Sequence, residues 1–220
     1  ETKIPLQLTL DSDIQFLVRK ELLRFNNIFQ TKGSAAILMN IDNGNILSLV
    51  SLPDFDPNKR ENIKDKNYIN KITKGVYELG SVFKTFTLAA ALDENLIDVD
   101  TKFIDLEKSI DCGKNTIREY DKKIPKDLTA EEILIRSGNI GSVRIGQKIG
   151  VEKFKQFLTK INLINKIEFD IDEIGIPIPF KWGKCKLATT SFGHGITTTP
   201  LQLAKGYAIV TNGGFEVNPT

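Results

Sequence analysis

The stretch Tyr77-Glu78-Leu79-Gly80-Ser81-Val82-Phe83-Lys84-Thr85-Phe86-Thr87-Leu88, followed by Ala89-Ala90-Ala91-Leu92, decides how the rest of the chain is read. Beyond Gly80 it is apolar on nearly every side of a helical projection, so it predicts a buried helix over residues 81–92 rather than an amphipathic surface one. Ser81 and Lys84 are three residues apart and share a face of that helix. A serine hydroxyl becomes a nucleophile when a base takes its proton, and lysine can be that base only as a neutral amine. Burial among Val82, Phe83 and Phe86, with the positive end of the helix dipole, would push the Lys84 pKa down. This is the only Ser-x-x-Lys in the chain. On the pattern alone, a serine that merely opens a helix fits as well.

Upstream, residues 5–10 alternate Leu6, Leu8 and Leu10 and predict a half-buried strand. Asp11 or Ser12 can cap a helix carrying Phe16, Leu17, Leu23 and Ile28. Residues 34–41 and 46–51 are apolar runs joined by Asp42-Asn43-Gly44-Asn45, a hairpin signal because Asn and Gly tolerate positive φ. Residues 52–73 are polar, rich in Lys and Asn, and predict a long surface loop.

Downstream, the charged residues 107–127 read as a loop or small hairpin. Thr129 with Glu132, and Thr199 with Gln202 behind Pro200, are capping boxes that start two helices. Gly213-Gly214 ends the second. Residues 151–161 are an amphipathic helix, residues 174–179 with two prolines are irregular, and Gly138, Gly141 and Gly150 punctuate what lies between. The expected class is α+β: strands near the N-terminus, then a mostly helical block.

The 220 residues supply ample core, and 40% apolar with 26% charged residues exclude collagen-like, coiled-coil and mostly disordered readings. A net charge of +2 creates no field that draws the chain to nucleic acid. The apolar runs are too short to span a bilayer, and residues 1–5 lack a signal-peptide pattern. His194 is the only histidine, so no histidine cluster can hold a metal, and no metal or other cofactor is expected. Cys112 and Cys185 are too few for a disulfide scaffold or zinc site; they are able to form one bridge, but read as ordinary buried thiols. Residues 75–80 have the glycine spacing of a phosphate loop without its lysine. No serine sits in Gly-x-Ser-x-Gly.

Ser137-Gly138-Asn139 closes the helix begun at Thr129. A serine and an amide two residues apart can serve one cleft, the first relaying a proton and the second holding a substrate carbonyl. Taken alone, the better reading is a helix C-cap, since Gly and Asn accept left-handed geometry. Residues 191–195, Ser-Phe-Gly-His-Gly, read as a glycine-rich turn entering the Thr199 helix, with a substrate-side role left open.

Taken in order, these motifs resemble the transpeptidase domain of the penicillin-binding proteins, specifically the class B, division-specific type (penicillin-binding protein 3 type). The likeness runs through Leu8-Thr-Leu-Asp11, residues 34–42, and Gly44-Asn-Ile-Leu-Ser-Leu-Val-Ser-Leu-Pro-Asp-Phe-Asp-Pro-Asn58. It continues through Tyr77-Glu-Leu-Gly-Ser-Val-Phe-Lys-Thr-Phe86, Ser137-Gly-Asn-Ile-Gly141, Ser191-Phe-Gly-His-Gly195 and Thr199-Pro-Leu-Gln-Leu-Ala204. The resemblance implies the fold shared by penicillin-binding proteins and serine β-lactamases, a sheet flanked by helices. It makes Ser81 the nucleophile, Lys84 its base, Ser137 the proton relay toward the leaving amine, and Asn139 the residue that positions the substrate peptide. The implied substrate is a peptidoglycan stem peptide ending in D-Ala-D-Ala, and β-lactams would acylate the same serine. It also implies division-machinery membrane proteins as partners of the full-length protein. The catalytic domain would lie on the outer, periplasmic side of the bacterial inner membrane.

Three departures from the family pattern stand out. Leu79 occupies a position usually held by proline, and Gly138 one often held by a second serine. The family's Lys-Thr-Gly strand has no counterpart, because no Lys-[Ser/Thr]-Gly occurs in the chain. Residues 1–220 are therefore expected to be a C-terminally incomplete transpeptidase domain, without the third-motif strand, the membrane anchor or the family's N-terminal module, and its activity alone is in doubt. Other readings are an elongation-type relative with the same chemistry, and a β-lactam-binding or sensor fragment without turnover. A serine β-lactamase is disfavoured, because no Glu-x-x-Leu-Asn follows the second motif to position a deacylating water.

Overall fold

The computed structural model describes residues 5–56, 58–59, 68–113 and 115–220. They fall into two units, one of Tyr77–Asn165 with Pro177–Thr198 and the other drawn from Glu1–Val76, Lys166–Ile176 and Thr199–Thr220.

In the second of these units, α1 (Ser12–Phe29) begins where the Asp11 carboxylate accepts the N–H groups of Asp13 and Ile14, both at 3.0 Å. The hairpin follows as expected: β1 (Ser34–Met39) pairs antiparallel with β2 (Ile46–Leu52). Gly44, at φ +79°, lets the turn close, and a Cβ there would collide with the Asn218 carbonyl. β2 alternates buried and half-buried positions, and Ile46 joins Ile72, Ile167, Ile174 and Leu201 in a core. Gln15 fastens α1 to β2 by donating to Leu49 O and accepting from Ser48 Oγ and Leu49 N–H, all at 2.9 Å.

Residues 5–10 are not a strand. Leu6 is 85% exposed and Leu8 60%, because no described residue offers a face for them to cover. Their alternation is real, but alternation alone makes no ladder. The same holds for α1, whose Phe16, Leu17, Leu23 and Ile28 form the expected stripe and remain exposed. Of the loop expected at 52–73, Leu52 ends β2, and residues 57 and 60–67 lie outside the described residues. α7 (Pro200–Thr211) opens on the expected Thr199–Gln202 capping box.

The other unit is built around α2 (Lys84–Asp93), entered through a 3₁₀ turn, Gly80–Phe83. Phe86, Leu88, Ala90 and Ala91 are buried, as an apolar helix requires. α2 packs against α3 (Ala130–Ile135), α4 (Asn139–Ile149) and α5 (Val151–Lys160). The Thr129–Glu132 capping box is present at α3. Residues 107–127 contain the hairpin β4 (Ser109–Cys112) and β5 (Asn115–Arg118). A short pair, β3 (Lys102–Phe103) with β6 (Leu128–Thr129), joins the segments on either side of it.

Two helices were not expected. α4 runs through Gly141 and Gly146, and α6 (Lys184–Thr190) through a stretch with no strong pattern. The glycines cost helix propensity but allow contact: a Cβ at Gly141 would press on the Ile133 side chain, and one at Gly146 would overlap Ser191. The expectation of two ordinary thiols is overturned. Cys112, at the end of β4, and Cys185, in α6, form a disulfide with Cα atoms 5.2 Å apart, a pairing across 73 residues that no local pattern announces.

The fold class is α+β, with helices and strands mixed along the chain.

Candidate active site

All four residues singled out from the sequence lie in the unit built around α2. Ser81 sits on the 3₁₀ turn, exposed, and its carbonyl accepts the backbone N–H of Lys84. That bond fixes the two residues one turn apart. Lys84 is the first residue of α2 and is only 2% exposed. Its ammonium donates to the Ser137 carbonyl, to Ser137 Oγ at 2.9 Å and to Asn139 Oδ1 at 2.8 Å. The structure therefore joins Lys84, Ser137 and Asn139 through side chains, and joins Ser81 to them through the backbone.

Burial among neutral acceptors lowers the Lys84 pKa to about 8, and the nearby Glu119 carboxylate pulls the other way. At neutral pH roughly one Lys84 in ten is then a free amine, against about one in three thousand for an ordinary lysine. The cause differs from the expectation in one respect. Desolvation does the work, and the strongest charge effect on Lys84 opposes it.

The second motif also differs from its C-cap reading. The left-handed residue is Ser137, at φ 53°, not Gly138 or Asn139. Ser137 N–H donates to Leu134 O at 3.0 Å and Gly138 N–H to Ile133 O at 2.9 Å, so the chain leaves α3 and turns at once into α4. A non-glycine residue in that conformation costs on the order of 1–3 kcal/mol, and such residues cluster at functional sites. The turn brings the carbonyl and hydroxyl of Ser137 to one ammonium. Asn139 opens α4, its Nδ2 donating to Arg118 O at 2.9 Å while its Oδ1 faces Lys84.

Residues 191–195 pack against the serine's own turn. Gly193, at φ +82°, lies so close to the Gly80 carbonyl and Phe83 Cβ that no side chain fits. His194 is exposed, its Nδ1 3.3 Å from Glu78 Oε2, and the same carboxylate oxygen accepts Gly195 N–H at 2.9 Å. Lys186 donates to the Gly195 carbonyl and stands 4.0 Å from the centre of the Phe180 ring. Glu119 and Lys186 escaped the sequence reading because neither lies in a motif, and Glu78, inside the quoted stretch, was given no role because its partner Gly195 is 117 residues away.

A buried amine of lowered pKa, one turn from an exposed hydroxyl and held by a second hydroxyl and an amide, is equipped for serine acyl transfer.

Comparison with known proteins agrees on what the chain resembles. Residues 34–220 match the family described as "Penicillin binding protein transpeptidase domain". A Caulobacter vibrioides protein named "Probable peptidoglycan D,D-transpeptidase FtsI" is 33% identical over 216 residues, covering 98% of this chain and 36% of that protein. The Bacillus subtilis "Stage V sporulation protein D" is 30% identical over 220 residues, covering 98% and 34%. The chain thus spans about a third of the length of these curated relatives. Among solved structures, the TP domain of Burkholderia pseudomallei penicillin-binding protein 3 superposes with a TM-score of 0.79 at 25% identity, covering 92% of this chain and 57% of that one. A Burkholderia ambifaria peptidoglycan glycosyltransferase gives 0.80 at 24%, covering 92% and 60%.

Proposed function

The chain belongs to the penicillin-binding protein transpeptidase domain family, and from that premise we propose that it carries the acyl-transfer site of a peptidoglycan D,D-transpeptidase of the division type. The observation that carries this reading is the buried Lys84 amine, held by Ser137 and Asn139 one turn from the exposed Ser81.

In the proposed reaction a neutral Lys84 takes the Ser81 hydroxyl proton as Oγ attacks the carbonyl of the penultimate D-Ala. The C–N bond to the last D-Ala then breaks. The proton passes from Lys84 through Ser137 Oγ to the departing amine, leaving an ester on Ser81. An amine of a neighbouring stem peptide attacks that ester, gives its proton back through the same groups, and frees Ser81 with a cross-link formed. Asn139 keeps the substrate amide in register. A β-lactam would enter by the same first step, but its cleaved amine stays tethered to the acyl group, so the ester persists.

Placement outside the cytoplasmic membrane is supported by the Cys112–Cys185 disulfide, since such bonds persist in oxidising compartments. Among the described residues no helix is long and apolar enough to cross a membrane. A stem peptide and β-lactams as ligands, and division-machinery membrane proteins as partners of a longer protein, belong to the same proposal.

The test is the intact mass of the chain after incubation with benzylpenicillin. One added benzylpenicillin per chain, absent from Ser81→Ala, is the expected result. An adduct that survives in Ser81→Ala, or none on the wild-type chain, contradicts the assignment of Ser81 as an activated nucleophile.

A further inference from the structure

α4 starts on Gly138, which has no side chain to cap it, so the first N–H groups of the helix need an acceptor from elsewhere. They find one in Glu119, the residue that follows β5. Its Oε2 accepts Asn139 N–H at 2.6 Å and its Oε1 accepts Ile140 N–H at 2.8 Å. A carboxylate bonded to two amides at a helix start is a charge-assisted, dipole-matched contact. The residue before it, Arg118, supplies the carbonyl that accepts Asn139 Nδ2. One short segment therefore holds Asn139 by both its backbone and its side-chain amide, leaving Oδ1 turned to Lys84.

The arm that presents Glu119 is itself fixed. It belongs to the β4–β5 hairpin, whose Cys112 is tied to α6 by the disulfide.

We propose that Glu119 is a positioning residue of the acyl-transfer site: it caps α4 in place of a local side chain and sets the orientation in which Asn139 meets Lys84. This rests on the transpeptidase reading for its catalytic consequence, though not for its structural content. Glu119 is the charged group whose field is felt at Lys84, and it keeps the amine more basic than burial alone would leave it. Glu119 thus opposes the desolvation that frees the Lys84 lone pair, so the poise of that amine is a balance between the two.

The test uses the 220-residue chain. In the wild type, amide exchange at Asn139 and Ile140 should be as slow at neutral pH as in the interior of α4. Exchange at unprotected rates near neutrality overturns the proposal, even if no variant folds. The second arm titrates Lys84 by NMR in wild type, Glu119→Gln and Glu119→Asp. Glu119→Gln removes the charge with little change of shape and should move the Lys84 midpoint below that of the wild type, and Glu119→Asp should return it toward the wild-type value. An identical midpoint in Glu119→Gln and wild type overturns the proposal. With benzylpenicillin at a pH above both midpoints, where Lys84 is a free amine in either protein, Glu119→Gln should lower the limiting acylation rate about tenfold through the loosened Asn139 and leave the half-saturating concentration unchanged. A wild-type chain that shows the protected amides and shifted midpoint, yet forms no adduct, refutes the transpeptidase reading and leaves the role of Glu119 in place.

Discussion

Among the described residues each unit buries one lysine, and the two are buried against different partners. Lys205, on α7, is 3% exposed; its ammonium meets the Glu216 carboxylate and Asn218 Oδ1, both at 3.0 Å. It clamps the segment after α7 back onto the helix. Lys84 is buried just as deeply but meets a carbonyl, a hydroxyl and an amide oxygen. A carboxylate partner compensates the charge of an ammonium, whereas neutral oxygens leave much of its desolvation unrelieved. Depth of burial is therefore not what makes a lysine chemical. What it is buried against decides that, and only Lys84 stands one turn from an exposed serine.

Removing each lysine is the sharpest way to break the comparison. Lys84→Ala should slow acylation by benzylpenicillin by about 10²–10⁴-fold, the usual worth of a positioned general base. Lys205→Met should leave the acylation rate of the folded chain unchanged while lowering stability in urea by about 1–3 kcal/mol, the scale of hydrogen bonds to a charged group. If both variants acylate alike, the contrast between the two sites is wrong.

Two changes of stability sharpen it further. Cutting the covalent tie with Cys112→Ser should cost about 2–4 kcal/mol, and acylation should suffer as the arm bearing Glu119 loosens. The effect of pH is smaller and has a defined sign. The Lys84 pKa is lower in the folded chain than in the unfolded one, so its ammonium opposes folding at every pH below about 8. That penalty fades as pH rises from about 8 toward the ordinary lysine value. Denaturation of wild type and Lys84→Met at pH 7 and pH 10 should show the gap between them change in that direction.

Features that depend on neighbours in sequence could be read before the structure was known. The Thr129–Glu132 and Thr199–Gln202 boxes are three-residue chemistry, and the turn at Asn43-Gly44 announces itself by the positive φ that glycine allows. Features set by distant contacts could not be read. α4 looked broken because its glycines answer to Ile133 and Ser191, not to helix propensity. The expected strand at residues 5–10 had the right alternation but forms no ladder with any described residue. The disulfide, the cap by Glu119 and the left-handed Ser137 all follow from tertiary placement. The candidate site was thus half legible: spacing singled out Ser81 and Lys84, only a family resemblance that joined the motifs gave them, Ser137 and Asn139 their expected roles, and Glu119 was not legible at all.

The most direct measurement is the rate of Ser81 acylation by benzylpenicillin, followed by intact mass from pH 6 to pH 10. A neutral Lys84 acting as base predicts a rate that climbs with pH and levels off with a midpoint near 8. A flat profile, or one that is still climbing at pH 10 as an ordinary lysine would dictate, contradicts the account.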